Sequence, residues 1–280
     1  MGADDPYMPT APTPRILAIG GGGLTDAAVA VDRYAVELSE RDAPRVCLLP
    51  TTGSAATAQI ARFYDVFGGR AEPSHLPLDR AAQPPDLVRR HLLAQDVIYA
   101  GGGGLVSVLA QWRAHGVDRV LREAWQGGVV LAGQSAGSLC WFEAAVTAAG
   151  GQPRPARGLG LVPASNSVHW SAAPRRRRVF LDCVADGMPA GWGVDDGAAL
   201  IFEGTEMTGA VAARQGARAL RIEREGDEVV ETAVATRVLG EAPAGPSLVT
   251  ADPAVAELRE LRRFHSARGG HGVRRVRLGA

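Results

Sequence analysis

The chain has 280 residues, 46% of them hydrophobic and 21% charged, with 30 Lys plus Arg set against 30 Asp plus Glu. That apolar content suffices for a sizeable buried core, and a net charge of zero argues against nucleic acid or an anionic membrane as the main partner. The sequence has no Lys, which excludes a P-loop, a Schiff-base enzyme and a Ser-Lys dyad, since each needs an amine.

In chain order, residues 1–14 form an acidic, then Pro-rich lead, unlike a signal peptide and expected to be disordered. Arg15–Ile19 is a short apolar run ending in Gly20–Gly23, followed by a helical pattern over about Asp26–Glu40. Arg45–Leu49 reads as a second strand and Ala55–Phe67 as an amphipathic helix. Asp96–Ala100 is a third strand, closed by Gly101–Gly104. Leu105–Ala114 and Val117–Trp125 are helical, and Val129–Ala132 is a further strand. Short apolar strands alternating with helices predict parallel βαβ units, in which ligands bind at the carboxyl ends of the strands. From about Gly191 the segments Ala198–Phe202, Gly209–Ala213, Ala219–Ile222 and Val229–Ala235 suggest antiparallel strands completing the sheet. The fold expected is therefore α/β, doubly wound and mostly parallel, with antiparallel strands toward the C-terminus. Its main domain spans 15–240; an amphipathic helix (Ala254–Phe264) and an Arg/Gly-rich tail follow within 241–280. Three cysteines (Cys47, Cys140, Cys183) without paired spacing, and no apolar run of ~18 residues, suggest a soluble cytoplasmic protein.

One motif carries chemistry. Val129–Ala132 runs into Gly133-Gln134-Ser135-Ala136-Gly137, and a helical stretch is expected from Ala136. Small residues around the serine let the chain turn sharply from strand to helix. Its hydroxyl then projects from the sheet edge beside the unpaired N–H groups of a helix start. The same pentapeptide also occurs as a plain strand-to-helix turn, and the flanking strand and helix favour the nucleophile reading. Gly101–Gly104 ends a strand at the same edge, where its main-chain N–H groups can approach a substrate. Gly20–Gly23 does not complete a dinucleotide fingerprint, because Thr25 stands where the last glycine would be. A serine needs a base. The six candidates are His75, His91, His115, His169, His265 and His271. His91 and His115 lie on helical stretches and His265 and His271 in the tail, while His169 follows the apolar segment Gly160–Val168 and is the best base by chain order.

The stretch from Asp96 to His169 resembles the peptidase E family of serine peptidases, relatives of cyanophycinase, with a class I glutamine amidotransferase-like fold. The residues that carry the likeness are Gly101-Gly102-Gly103-Gly104-Leu105, Ala132-Gly133-Gln134-Ser135-Ala136-Gly137, Gly158-Leu159-Gly160-Leu161 and His169. It extends through Trp141-Phe142-Glu143 and the Asp195-Asp196-Gly197 turn to about Gly240. The resemblance implies Ser135 as nucleophile, His169 as base, and the N–H groups of Gly103 and Ala136 as oxyanion hole. Gly102, Gly104 and Gln134 would line the substrate site, with no cofactor or metal. Amidotransferases of this fold carry Cys at the elbow, so Ser135 argues against glutamine hydrolysis. In such relatives an Asp follows the Val-Thr after the elbow helix, where this chain reads Val146-Thr147-Ala148; Glu143 is the nearest acidic substitute. Relatives also bind the acidic side chain of an N-terminal Asp through an arginine in the region that here reads Arg175-Arg176-Arg177-Arg178. Guanidinium suits that task through paired hydrogen bonds to carboxylate. The alternatives for this run are a solvated helix start or a subunit contact, and a homodimer is compatible with it.

The expected activity is therefore hydrolysis of a short peptide or related amide with an acidic N-terminal residue. Two other readings stand beside it. One is an impaired or repurposed member that binds a peptide-like ligand. The other is an ordinary α/β-hydrolase layout with its base at His265 or His271.

Overall fold

The computed structural model describes residues 12–51, 55–78, 84–240 and 274–277. The first half alternates strand and helix: β1 (Arg15–Ile19), α1 (Val29–Glu37), β2 (Arg45–Leu49), α2 (Ala55–Phe67), β3 (Glu72–His75), α3 (Pro85–Leu93), β4 (Val97–Ala100), α4 (Leu105–Ala114), α5 (Val117–Gln126), β5 (Val130–Gln134) and the single turn α6 (Ala136–Leu139). The second half is mostly strand: β6 (Phe142–Ala149), β7 (Gln152–Arg157), β8 (Val162–Val168), α7 (Pro174–Ala185), β9 (Gly191–Val194), β10 (Ala198–Glu203), β11 (Glu206–Ala212), β12 (Ala219–Glu225), β13 (Glu228–Ala233), β14 (Thr236–Val238) and β15 (Arg274–Arg277).

These strands form two sheets. The eight-stranded sheet runs β14-β11-β10-β1-β5-β4-β2-β3, and its β1, β5, β4, β2 and β3 are parallel. The chain steps outward from β1 to β3 and then returns inward through β4 to β5. With right-handed crossovers, that reversal puts the connecting helices on opposite faces. The side chains agree: Leu17, Ile19, Val97 and Tyr99 pack with Val31 of α1 and Phe63 of α2, whereas Ile16, Ala18 and Ile98 pack with Val88, Leu109 and Leu121 of α3, α4 and α5. Both faces of each central strand are thus buried, which is why these strands are continuous apolar runs.

The expectation of one sheet closed by the C-terminal strands is corrected. β10 and β11 join the first sheet, whereas β9, β12 and β13 belong to a second, seven-stranded sheet ordered β15-β13-β12-β9-β8-β6-β7. Its β6, β8 and β9 are parallel to one another. One face of this sheet shares the core of α3, α4 and α5 through Phe142, Val162 and Trp192; the other is covered by α7 through Phe180, Leu181 and Val184. The helix expected after the elbow lasts one turn. The Cys140 and Trp141 carbonyls accept hydrogen bonds from the N–H groups of Leu159 (2.7 Å) and Leu161 (2.8 Å), so the helical ladder cannot continue. The expected lead, lying in residues 1–11 for the most part, and the helix at Ala254–Phe264 fall outside the described residues; within the tail, residues 274–277 form β15, paired with β13.

Candidate active site

Four loops converge at the carboxyl edge of the first sheet: Gly20–Thr25 after β1, Thr51 after β2, Gly101–Gly104 after β4, and Ser135 after β5. Ser135 holds φ 53° and ψ −115°, a strained conformation that costs a non-glycine residue about 1–3 kcal/mol. Packing enforces it. A Cβ at Gly133 would collide with the Gly137 carbonyl, and one at Gly137 with the Ala100 carbonyl. The two glycines of the pentapeptide are therefore needed for the chain to fold back on itself and against β4.

The strained turn presents the Ser135 hydroxyl to His169, with Oγ 2.8 Å from Nε2. His169 follows β8, also at positive φ (55°), and its N–H donates to the Gly20 carbonyl at 3.2 Å. Its Nδ1 is hydrogen-bonded to Oδ1 of Asp196. Since a carboxylate can only accept, Nδ1 carries the proton and Nε2 is left free to take one from Ser135. β8 and β9 are parallel neighbours in the register Val168↔Val194, so His169 and Asp196 leave adjacent strands at the same edge. His169 and Asp196 keep about a quarter of their side-chain surface exposed, enough for a substrate to reach the imidazole.

Asp196 stands where Glu143 had been expected. Glu143 lies on β6 rather than on a helix and pairs with Arg157 of β7 at 3.4 Å, away from the imidazole. The neighbouring Asp195 is buried; it accepts the Ser171 N–H at 2.9 Å and the Arg218 N–H at 3.2 Å, so it braces the loops beside the site. The signal for Asp196 in the sequence was an acid in a turn between two strands, at the same sheet end as His169.

The other site residues named from the sequence lie around this turn or at the start of α7. Ala136 is the first residue of α6, so its N–H has no acceptor within that helix. Gly102 lies beside Ser135 and the Gln134 side chain, and the Thr51 hydroxyl fills the space that a Cβ on Gly103 would take. Gly104 caps α4 without a side-chain bond. The arginine run opens α7 and divides sharply. Arg177 is paired with the fully buried Glu231 at 2.6 Å and lies over the Trp170 ring, and Arg178 pairs with Asp182. Arg175 is exposed. Arg176 is half-buried: Nη1 donates to the Val168 carbonyl at 3.3 Å, Nε is buried with no partner, and Asp196 lies within electrostatic reach. Burial lowers its pKa, and the Asp196 charge opposes that shift.

The other described histidines stand apart. His75 bonds Tyr64, His91 bonds Ser74, and His115 bonds the Gln111 carbonyl of its own helix. His265 and His271 lie outside the described residues. Among the described residues no cluster of three His, Cys, Asp or Glu side chains could hold a metal ion, and no helix is long and apolar enough to cross a membrane.

The sequence profile of peptidase family S51 matches residues 16–209. The chain is 37% identical over 232 residues to an uncharacterized peptidase, YgaJ, of Bacillus subtilis (strain 168), covering 81% of this chain and 99% of that protein. Among solved structures, a peptidase from an acI-B1 actinobacterium superposes with a TM-score of 0.62 at 16% identity, over 81% of this chain and 96% of the other. A putative peptidase E protein from Listeria monocytogenes EGD-e gives 0.52 at 15% identity, over 70% and 96%. These two likenesses show the fold. With the profile match over most of its length and the B. subtilis relative, the chain belongs to peptidase family S51, the peptidase E family, and is a serine peptidase by class.

Proposed function

We propose that the chain cleaves short peptides with an acidic N-terminal residue through a Ser135–His169–Asp196 proton chain. The observation that carries this reading is the unbroken path from Ser135 Oγ through both imidazole nitrogens to the Asp196 carboxylate. It also favours catalysis over a ligand-binding relic, because all three groups are present and aligned.

Ser135 Oγ attacks the scissile carbonyl carbon as its proton passes to His169 Nε2. The new C–O bond leaves negative charge on the carbonyl oxygen, which the N–H groups of Ala136 and Gly103 receive. Asp196 holds the Nδ1–H tautomer and steadies the imidazolium. When the intermediate collapses the C–N bond breaks, and His169 returns its proton to the leaving amine. Water then attacks the acyl-serine by the same path, with His169 again as base.

Arg176 is the residue best suited to the acidic side chain of the substrate. Its sister arginines are committed elsewhere or face solvent, whereas its own buried Nε has no partner. Gly102, Gly104 and Gln134 border the approach to Ser135. Cys47 and Cys140 are buried free thiols and Cys183 is a partly exposed one, which suits a reducing compartment such as the cytoplasm.

A panel of Asp-X, Glu-X and neutral dipeptides tests the specificity. Faster turnover of the acidic members, lost in Arg176→Ala, is expected; equal rates across the panel would remove Arg176 from the substrate site. Failure of wild-type Ser135 to react with a fluorophosphonate would undo the hydrolytic mechanism itself.

A further inference from the structure

The glycine loop after β1 supplies no reacting group, yet it forms the seam between the two sheets at the site. The Gly20 carbonyl accepts the His169 N–H, and the Gly21 carbonyl accepts the Gly197 N–H at 2.9 Å. A Cβ on Gly21 would collide with both the imidazole of His169 and the carboxylate of Asp196. The loop backbone therefore lies directly against the pair and keeps water from that side, where a lower local dielectric strengthens the His–Asp hydrogen bond.

The loop is held under tension. Leu24, with its side chain buried, sits at φ 56°, a left-handed conformation that costs about 1–2 kcal/mol. It is clamped on both sides. Its carbonyl accepts Arg62 Nε at 3.3 Å, with Arg62 itself paired to Asp26 at 2.7 Å. Its N–H donates to Asp32 Oδ2 at 2.7 Å. Asp32 lies on α1 with no exposed surface, and its other oxygen accepts the Tyr99 hydroxyl of β4 at 2.5 Å. That oxygen, the Tyr99 hydroxyl and the Gln134 amide oxygen crowd the position a Cβ on Gly23 would take. Burial pushes the Asp32 carboxyl up to about 7, against the downward pull of the Tyr99 and Leu24 bonds. A buried carboxyl is costly, and the α1 core has no need of one, since Val31 and Ala35 pack there as apolar residues.

We propose that Asp32 is a positioning residue that, together with Tyr99, fixes the glycine loop over the His169–Asp196 pair and so aligns and shields the imidazole that serves Ser135. This rests on reading Ser135, His169 and Asp196 as the reacting groups. Asp32 touches neither substrate nor the reacting atoms; it acts through Leu24 and the loop.

Three variants separate this role from a merely structural one. Asp32→Ala removes both acceptors. Asp32→Asn keeps an acceptor for the Leu24 N–H and a donor for the Tyr99 oxygen. Tyr99→Phe removes one bond only. The first readout is NMR of the His169 Nδ1 proton and its exchange with water; the second is the rate of fluorophosphonate labelling of Ser135 across pH. The wild type is expected to show a downfield, protected Nδ1 proton. In Asp32→Ala that proton should exchange at least about tenfold faster, labelling should slow by about 10–100-fold, and its pH midpoint should move. Asp32→Asn should recover both to within about threefold, and Tyr99→Phe should fall between. Wild-type exchange, labelling and pH midpoint in a folded Asp32→Ala would overturn the proposal. Should Asp32→Ala not fold, wild-type behaviour in Tyr99→Phe overturns it. So would an unprotected Nδ1 proton in the wild type. A wild type with a protected proton but no labelling would instead break the hydrolytic reading, with the loop assignment still measured by the exchange rates.

Discussion

The two sheets contribute unlike halves to the site. The first sheet supplies Ser135 and the glycine amides around it, and there the backbone does the positioning: a positive φ at Ser135, close packing at Gly133 and Gly137, and the free N–H at the start of α6. The second sheet supplies His169 and Asp196, whose side chains leave the neighbouring parallel strands β8 and β9. The proposed nucleophile is thus fixed by local chain geometry, whereas the proposed proton transfer depends on a strand register that brings together two residues 27 apart in the chain. Damage to either half should read out differently.

Ser135→Ala removes the group on which both halves act, so hydrolysis should fall by about 10⁵-fold or more and labelling should vanish. Asp196→Ala breaks only the second-sheet half: kcat should fall by about 10³–10⁴-fold with KM little changed, because the oxyanion donors remain. Arg176→Ala leaves both halves intact and should cost about tenfold in kcat/KM for acidic N-termini with little change for neutral ones. Measured initial rates with matched dipeptides distinguish these three.

A fourth prediction concerns the seam. The Asp32 carboxyl is raised on folding from 3.8 to about 7, so the folded state disfavours its charge. Its contribution to stability is therefore fully present below pH 4 and lost as pH climbs through 7. Asp32→Asn does not titrate. Thermal melts should thus show the variant gaining on wild type between pH 5 and pH 8, and a constant difference would contradict the raised carboxyl. The smallest effect belongs to Glu143→Gln, which loses one partly exposed ion pair with Arg157; activity should stay within about twofold.

The same contrast explains what the sequence disclosed. The elbow, the glycine loops and the strands β1, β2, β4 and β5 were legible because each is a local pattern of apolar runs ending in glycine. β3 was not, since Glu72-Pro73-Ser74-His75 is a polar edge strand with a proline at an outer position. The β6–β7 hairpin carried a signal in Gly150-Gly151, both at positive φ as a tight hairpin turn requires, but the alanine-rich Phe142–Ala149 looks helical in isolation. Asp196 was hidden for another reason. The acid in the turn after β9 is visible in the sequence, but its approach to His169 follows from the pairing of β8 with β9, a long-range register, whereas Glu143 lies closer to the elbow along the chain. Of the four arginines, no pattern could tell that Glu231, far along the chain, would claim Arg177.

The central claim is that Asp196, and not Glu143, completes the chain from Ser135 through His169. Its most direct test is the rate of fluorophosphonate labelling of Ser135 in Asp196→Ala and in Glu143→Ala, each against wild type. The account predicts labelling about 10³-fold or more slower in Asp196→Ala and nearly unchanged in Glu143→Ala. Near-wild-type labelling in Asp196→Ala, with the loss appearing in Glu143→Ala, would contradict it.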